Sequence, residues 1–183
     1  MIYLGIDPGL NGALAILDNT SSVRPSAFTF TSILDMKGWI IQEDLASGVF
    51  ATIEGIHAIS RQRAADTFAR GQNLGEWLGL LTGLGIPYQL IPPQRWQKEM
   101  MPGKPLPTPM MYKGPELTDL QTKENKRIDA ANKKKIKAHA ASVAAGLWPD
   151  VDFRRTARCE GPHDGKVDAA LLAEYGRRMQ GRK

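Results

Sequence analysis

Cysteine is almost absent from this chain, and no stretch of the chain is both long and apolar. The single thiol, Cys159, cannot form an internal disulfide, which excludes a disulfide framework and indicates a reducing compartment. No apolar run is long enough to span a bilayer. The N-terminus lacks the basic start of a signal peptide and carries Asp7 inside its first apolar run. We therefore predict a soluble, cytoplasmic protein without membrane association.

Acidic residues are the scarcer charged class. The 183 residues include 19 Asp and Glu against 24 Lys and Arg, a net charge of +5, and the pI is about 9.4. This excess suits a polyanionic partner but does not prove one. Apolar residues make up 42%, which argues against a disordered chain, and the length is enough for one substantial core. We predict one domain over residues 1–183, with a loose tail at 181–183.

Short apolar runs bounded by turn residues predict strands, and longer runs with helical spacing predict helices. A Pro-Gly turn joins the candidate strands at residues 2–7 and 12–17 into a hairpin, and residues 23–30 are a candidate third strand. Later strands, at 49–54 and 86–91, alternate with helices. The predicted helices are 33–45, 60–84, 93–96, 130–147 and 165–179. We predict an α/β fold with a mixed central β-sheet, a three-strand antiparallel meander plus parallel strands, flanked by α-helices.

Two further stretches have an unusual composition. Residues 101–115 hold five prolines and two glycines, which predicts an irregular loop, and we extend this Pro-rich segment to residue 125. Glycines recur every four residues from Gly71 to Gly83 and form one stripe along a predicted helix. Each glycine costs a helix roughly 1 kcal/mol relative to alanine. We therefore expect the stripe to pack closely against the sheet or a partner subunit.

Four acidic residues stand where they could share one site. Asp7 and Glu54 each end a predicted strand. Asp164 and Asp168 lie four residues apart at the start of the last predicted helix, which places their Cβ atoms about 5–6 Å apart on one helix face. Capping of a turn or a helix is the alternative role for Asp7 and Asp164. Capping explains Asp168 poorly, because Asp168 lies one turn further in and beside apolar residues.

Convergence of these four carboxylates would have a chemical consequence. Their charges would repel, and some would hold protons unless cations intervened. Mg²⁺ prefers such hard oxygen ligands. Two divalent ions about 3.5–4 Å apart can activate a water and stabilise the leaving oxygen of a phosphodiester. Acids in a site surrounded by Lys and Arg therefore suit cleavage of a nucleic acid backbone.

Four motifs that stand in a fixed order resemble one known family. They are Gly-Ile-Asp-Pro-Gly at 5–9, Ile-Glu-Gly at 53–55, Leu-Ile-Pro-Pro-Gln-Arg-Trp at 90–96 and His-Asp-Gly-Lys-Val-Asp-Ala-Ala-Leu at 163–171. Together they resemble the RuvC family of Holliday junction resolvases, most closely its bacteriophage and prophage members. The resemblance covers nearly the whole chain. It implies an RNase H-like fold, a homodimer, and paired nicking of four-way DNA junctions with Mg²⁺ or Mn²⁺, two ions per active site.

The resemblance also implies roles for the acidic residues. Asp7 would bridge both metal ions, Glu54 would hold one of them, and Asp164 and Asp168 would complete the sites. Many bacterial members place the last two functional residues three apart, whereas here the acids are four apart and Gly165 stands at the third position. We therefore assign Asp164. His163 is the alternative, as a ligand or proton carrier, unless it is a simple surface residue.

Candidate DNA contacts come from both the resemblance and the charge pattern. The family places a base-stacking aromatic residue a few positions after the second acid, where this chain has His57, so His57 is either a stacking residue or a surface histidine. A dense run of lysines, Lys133, Lys134, Lys135 and Lys137, is predicted to contact phosphates. Arg61 and Arg63, just beyond Glu54, are predicted to do the same.

Two alternatives to a junction resolvase stay open at this point. The first is a nuclease of the same fold that cleaves branched or flap DNA, or RNA. The second is a junction-binding protein without catalysis, whose DNA binding would not depend on Asp7. All three interpretations share the basic surface, and only the two nucleases require the acids to gather.

Overall fold

A computed structural model describes residues 1–9, 11–18, 24–43, 48–55, 64–114 and 116–182. Five strands and five helices lie in these ranges. In chain order they are β1 (Ile2–Asp7), β2 (Ala13–Asp18), β3 (Pro25–Thr29), α1 (Ile33–Ile41), β4 (Val49–Glu54), α2 (Ala64–Gly83), β5 (Tyr88–Ile91), α3 (Pro93–Met100), α4 (Asp119–Leu147) and α5 (Asp164–Gln180).

The five strands form one mixed sheet in the order β3-β2-β1-β4-β5. The first three strands are antiparallel neighbours, whereas β4 lies parallel to β1 and β5 lies parallel to β4. This arrangement confirms the predicted meander followed by parallel strands. Because β1 and β4 are parallel neighbours, their carboxyl ends meet at the same edge of the sheet.

The sheet separates two halves of the core, and the side chains of β1 alternate between them. Ile2, Leu4 and Ile6 point toward α1 and α2, where they pack in a cluster that includes Trp77 and Leu81. Tyr3 points to the opposite face, toward a second cluster formed with α3, α4 and α5. Side chains of a strand alternate between faces, so Gly5 and Asp7 share the face that α5 covers.

Helix α5 lies directly on β1, backbone against backbone. A Cβ atom at Gly5 would lie 1.9 Å from the carbonyl oxygen of Ala169 and 2.4 Å from the backbone nitrogen of Ala173. Only a residue without a side chain fits there. Ten residues of α5 are buried, so this helix forms the centre of its half of the core rather than a surface layer.

The N-terminus of α5 is held against the β1–β2 turn by two further glycines. A Cβ at Gly165 would lie 2.7 Å from the carbonyl oxygen of Asn11 and 3.1 Å from the Cα atom of Gly12. The first turn of α5 therefore sits beside the end of β1, which places the two acid-bearing segments next to each other.

The long helix α4 corrects the predicted extent of the Pro-rich segment. The prediction placed irregular chain up to residue 125 and a helix from 130, but α4 begins at Asp119. Thr118 and Gln121 form a reciprocal capping box that starts the helix there. The first half of α4 is polar on nearly every side, so it lacks the apolar spacing by which a helix is recognised from sequence.

The remaining irregular chain is attached to α4 by two asparagines, seven residues apart. The side-chain amide of Asn132 accepts from the backbone N–H of Thr108 and donates to the carbonyl of the same residue, both at 2.9 Å. Asn125 makes the same pair of contacts with Tyr112, at 3.2 and 2.9 Å. The Pro-rich segment therefore runs along α4, antiparallel to it.

The glycine stripe of α2 does not pack against the sheet, so that part of the prediction is wrong. Outside the helix's own backbone, no atom of the described residues would lie within 4 Å of a Cβ built at Gly71, Gly75, Gly79 or Gly83. The buried face of α2 is instead formed by Asn73, Trp77 and Leu81. Packing of the stripe against a partner subunit stays a prediction. Within the part of the chain that the structure describes, no helix is long and apolar enough to cross a membrane.

The contact at Gly5 predicts the effect of adding one methyl group. We expect Gly5→Ala to lower the free energy of unfolding by about 3 kcal/mol or more, because neither the carbonyl of Ala169 nor the sheet can move aside cheaply. Gly38→Ala is the matched control, since Gly38 lies in α1 and, in the part of the chain that the structure describes, nothing beyond the helix's own backbone lies within 4 Å of the added methyl group. The control should gain up to about 1 kcal/mol. Urea unfolding of both variants measures the difference, and equal stabilities would contradict the contact.

Candidate active site

The ends of β1 and β4 bring the first two predicted acids together. Ile6 pairs with Ile53 in the parallel register, so the following residues, Asp7 and Glu54, are neighbours at the sheet edge. Both continue the alternation toward the face covered by α5. The sheet register alone therefore places these two carboxylates side by side.

Glu54 is held by a buried tryptophan. The indole N–H of Trp96 donates to the Oε1 atom of Glu54 at 3.0 Å, and Trp96 is completely buried in α3. Pro93 occupies the first turn of α3, where its missing N–H costs nothing. The Pro-Pro-Gln-Arg-Trp motif thus has a physical role that the sequence analysis did not assign, which is to orient the carboxylate of Glu54.

Helix α5 supplies the other two acids. Asp164 is its first residue, and Asp168 lies one turn later on the same face. Asp7, Asp164 and Asp168 line one open cavity of about 750 Å³ at the carboxyl edge of the sheet. Glu54 lies close enough to raise the pKa of both Asp7 and Asp168. The structure therefore brings together all four predicted acids.

Burial makes three of these carboxylates, Asp7, Glu54 and Asp168, hard to ionise. Burial raises the pKa of Asp7 well above its usual value, and repulsion from Asp168 and Glu54 raises it further. Burial and repulsion from Glu54 and Asp164 raise the pKa of Asp168 to about 7. Burial also raises the pKa of Glu54, although the Trp96 hydrogen bond opposes the shift. Unpaired buried acids of this kind are typical of functional sites.

Two cations line the same cavity. Arg70, from α2, lowers the pKa of Asp7 and of Glu54 and thereby offsets part of the repulsion. Lys137, from α4, forms an ion pair with Asp164. The sequence analysis did not predict Arg70, which lies 16 residues after Glu54 and belongs to none of the motifs. Only the folded arrangement of α2 over the sheet brings it to the acids.

His163 is the N-cap of α5. Its Nδ1 atom accepts a hydrogen bond from the backbone N–H of Lys166 at 3.4 Å, which requires that nitrogen to be unprotonated. Burial lowers the pKa of His163, and the nearby Arg155 lowers it further. His163 also lines the acid cavity. Its contacts therefore match the capping role, and its action as a ligand or proton carrier stays a prediction.

The predicted DNA contacts divide into two groups. His57, Arg61 and Arg63 lie outside the residues that the structure describes. The four lysines of α4 are all exposed, but they do not form one patch. Lys137 faces the acid cavity, whereas Lys135 points about 160° away from it around the helix. Lys133 lies on the side of Lys137 and pairs with Asp129 at 2.7 Å.

The donor set fits a hard divalent cation. Three carboxylates line one cavity and Glu54 lies beside them, and two of the four, Asp7 and Asp168, are half-buried without a hydrogen bond from the described residues to their oxygens. Mg²⁺ and Mn²⁺ prefer oxygen ligands of this kind. Among the described residues, no three acidic, histidine or cysteine side chains yet stand close enough together to enclose an ion.

Comparison with known proteins supports the fold. Over its whole length the chain resembles T. thermophilus RuvC in complex with Holliday junction substrate, with a TM-score of 0.53, 12% sequence identity, and coverage of 98% of this chain and 96% of that chain. A further Thermus thermophilus RuvC structure gives a TM-score of 0.49 and 16% identity, covering 98% and 97% of the two chains. The chain has a RuvC-like fold.

That finding confirms the predicted RNase H-like class, with its mixed five-stranded sheet flanked by helices. No family model and no curated protein matches the sequence. At 12% identity the likeness to RuvC concerns the fold. The activity of this chain has to be argued from the residues of its own site.

The raised pKa of Asp168 predicts how the stability of the metal-free protein depends on pH. The folded state holds a proton on Asp168 up to about pH 7, whereas the unfolded state releases it near pH 4. The unfolding free energy therefore falls as pH rises through this window. Asp168→Asn removes the effect. Without metal, the variant should be more stable than the wild type at pH 8, by up to about 4 kcal/mol, and nearly equal to it at pH 4.

Urea unfolding in the presence of a chelator, at several pH values, measures this difference. Asp150→Asn is the control, because Asp150 lies at the surface in an ion pair with Arg24. The control should run parallel to the wild type at every pH. A difference between Asp168→Asn and wild type that did not change with pH would show that Asp168 is not buried among acids.

Proposed function

We propose that this protein is a structure-selective endonuclease that resolves four-way DNA junctions by paired nicking of phosphodiester bonds, dependent on Mg²⁺ or Mn²⁺. One observation carries the proposal. Asp7, Asp164 and Asp168 line a single cavity, and Glu54 lies beside Asp7 on the neighbouring strand. Burial raises the pKa of Asp7, Glu54 and Asp168, and repulsion between the carboxylates raises the pKa of Asp7 and Asp168 further. A fold has no structural need for such a cluster, since it destabilises the chain unless cations bind.

The same four residues would hold two divalent ions. When bound, the ions would supply an activated water and stabilisation of the leaving oxygen. The chain's own contribution is positioning. The charges of all three other acids act on Asp7, which suits a bridging role, and Trp96 fixes the orientation of Glu54. Lys137 pairs with Asp164 and lies exposed at the cavity, where an ammonium can also contact a phosphate.

Four-way DNA is the proposed substrate for three reasons. The chain has a RuvC-like fold, its four motifs resemble those of the family, and the structure that it resembles is RuvC bound to a Holliday junction substrate. Basic side chains flank the acid cavity, as a polyanionic substrate requires. Branched or flap DNA and RNA would meet the same chemistry, so they are the competing substrates.

A homodimer belongs to the proposal. A junction that is cut symmetrically needs two active sites related by a two-fold axis. The exposed glycine stripe of α2 offers a face without side chains on which the backbone of a second copy could lie. This face lies on the helix that carries Arg70 into the site, which would link the two cavities across the dimer.

Cleavage of a synthetic four-way junction tests the function. We expect wild type to nick two opposing strands with Mg²⁺ or Mn²⁺, and Asp7→Asn and Asp168→Asn to be at least about 100-fold slower, because each change removes a ligand from the metal site. Both variants should still bind the junction. Asp150→Asn, at a surface acid away from the cavity, should cleave like wild type.

The same assay separates the alternatives. Flap, fork, linear duplex and RNA substrates of matched length should be cleaved much more slowly than the junction. Faster cleavage of any of them would identify a different nuclease of the same fold. Tight junction binding with no cleavage by wild type in either metal would indicate a binding protein without catalysis.

The divided lysines of α4 give a second prediction. Lys137→Ala should weaken junction binding and reduce the slope of log K against log salt by about 1, because Lys137 faces the cavity. Lys135→Ala removes the same charge from the same helix but points away, so the affinity should change less than about twofold. Fluorescence anisotropy between low and moderate salt measures both. Equal losses would mean that the DNA contacts α4 in another orientation.

A further inference from the structure

A short hairpin connects α4 to α5 and ends at the acid cavity. This segment, residues 152–162, is called the basic hairpin here. Its ends are joined by an antiparallel bridge between Arg154 and Pro162 and by a 2.8 Å hydrogen bond from the backbone N–H of His163 to the carbonyl of Phe153. Phe153 is buried against Trp148, with ring centroids 6.1 Å apart. The hairpin is therefore anchored in the core at its base.

Arg154, one of three arginines in the basic hairpin, stabilises its turn by hydrogen bonds. The Nε and Nη2 atoms of Arg154 donate to the carboxylate of Asp152, each at 2.9 Å, and Nη1 donates to the carbonyl of Ala157 at 3.1 Å. Lys166, in the first turn of α5, donates to the carbonyl of Arg154 at 2.9 Å. These contacts fix the turn relative to α5.

The other two arginines have no such partner. Arg155 and Arg158 are exposed, and neither makes a hydrogen bond or ion pair with the residues that the structure describes. A carboxylate at Glu160 lies in the same hairpin but is also exposed and unpaired within the described chain. Solvated arginines are common on protein surfaces. Arg155 and Arg158 differ from such residues because both lie on a turn that the hydrogen bonds of Arg154 hold in place.

The basic hairpin leads directly to the acid cavity. Pro162 and His163, which follow the hairpin directly, line the acid cavity. The guanidinium of Arg155 lies near enough to His163 to affect its charge state, as does the ammonium of Lys137 from α4. Arg155 from the hairpin and Lys137 from α4 therefore approach the same rim of the cavity, and Arg158 lies three residues further along the hairpin.

We propose that the basic hairpin is a DNA-contacting surface in which Arg155 and Arg158 bind backbone phosphates of the strand that enters the acid cavity. The inference rests on the proposed function, since it takes the substrate to be DNA. It adds a contact that none of the four motifs or the lysines of α4 provides. Guanidinium groups suit the role because their planar fork binds phosphate oxygens in pairs.

The single cysteine gives a direct test, because Cys159 lies within the hairpin between Arg158 and Glu160. A maleimide photocrosslinker attached to Cys159 in the Asp7→Asn protein, which leaves the junction intact, should crosslink to junction DNA within a few nucleotides of the cleavage site. A Cys159→Ser protein treated in the same way should give no crosslink.

Affinity measurements complete the test. Arg155→Ala and Arg158→Ala should each weaken junction binding about three- to tenfold at low salt and reduce the salt slope by up to about 1. Their melting temperatures should equal that of wild type. Arg154→Ala, in contrast, should lower the melting temperature, because it removes the contacts that build the turn. Glu160→Gln should strengthen binding, since it removes a repelling charge.

The outcomes distinguish this inference from the proposed function. Wild-type cleavage of junctions, combined with no crosslink and unchanged affinity in Arg155→Ala and Arg158→Ala, would overturn the hairpin contact and leave the function intact. Failure of wild type to bind or cleave any junction would overturn both. Crosslinks from Cys159 to the junction DNA, together with weaker junction binding by both arginine variants, would establish the contact.

Discussion

The direct contact between the backbones of β1 and α5 is the constraint on which the rest of the structure depends. It exists because Gly5 has no side chain, which lets the carbonyl of Ala169 occupy the space where a Cβ would be. Asp7 lies two residues after Gly5, and Asp168 immediately precedes Ala169. The close approach of the two backbones therefore brings these two carboxylates together. A larger separation would leave Asp7 and Glu54 on the sheet edge and the acids of α5 apart from them.

The site that results is unfavourable for the fold by itself. Burial raises the pKa of Asp7, Glu54 and Asp168, and repulsion between carboxylates raises that of Asp7 and Asp168 further, so the acid cluster destabilises the folded chain at neutral pH. Two cations from distant parts of the chain, Arg70 on α2 and Lys137 on α4, offset part of this repulsion. The large apolar core around α5 supplies the stability that tolerates the cluster. The balance makes bound cations and bound phosphate stabilising, which couples ligand binding to stability.

Several parts of the fold and site could be predicted because their causes are local. The apolar run of β1, the Pro-Gly turn and the strand that ends at Glu54 indicate both their structure and the placing of an acid at a strand end. The start of α4 could not be predicted, since a capping box, rather than an apolar stripe, determines it. Packing of the α2 glycine stripe against the sheet was predicted wrongly, because periodicity shows that residues share a helix face but not which part of the protein that face contacts.

The sequence by itself determined the strand and helix pattern, the four acidic residues and the basic balance of the chain. The strand and helix pattern follows from short-range backbone preferences, and the acids stand out because they lie in motifs that resemble those of RuvC. Only the tertiary structure decided that Trp96 holds Glu54, that Arg70 joins the cavity and that Lys137, rather than Lys135, faces it. Such contacts join residues far apart in the chain. Their geometry follows from sheet register and from how closely two helices approach the sheet, which no local pattern of residues specifies.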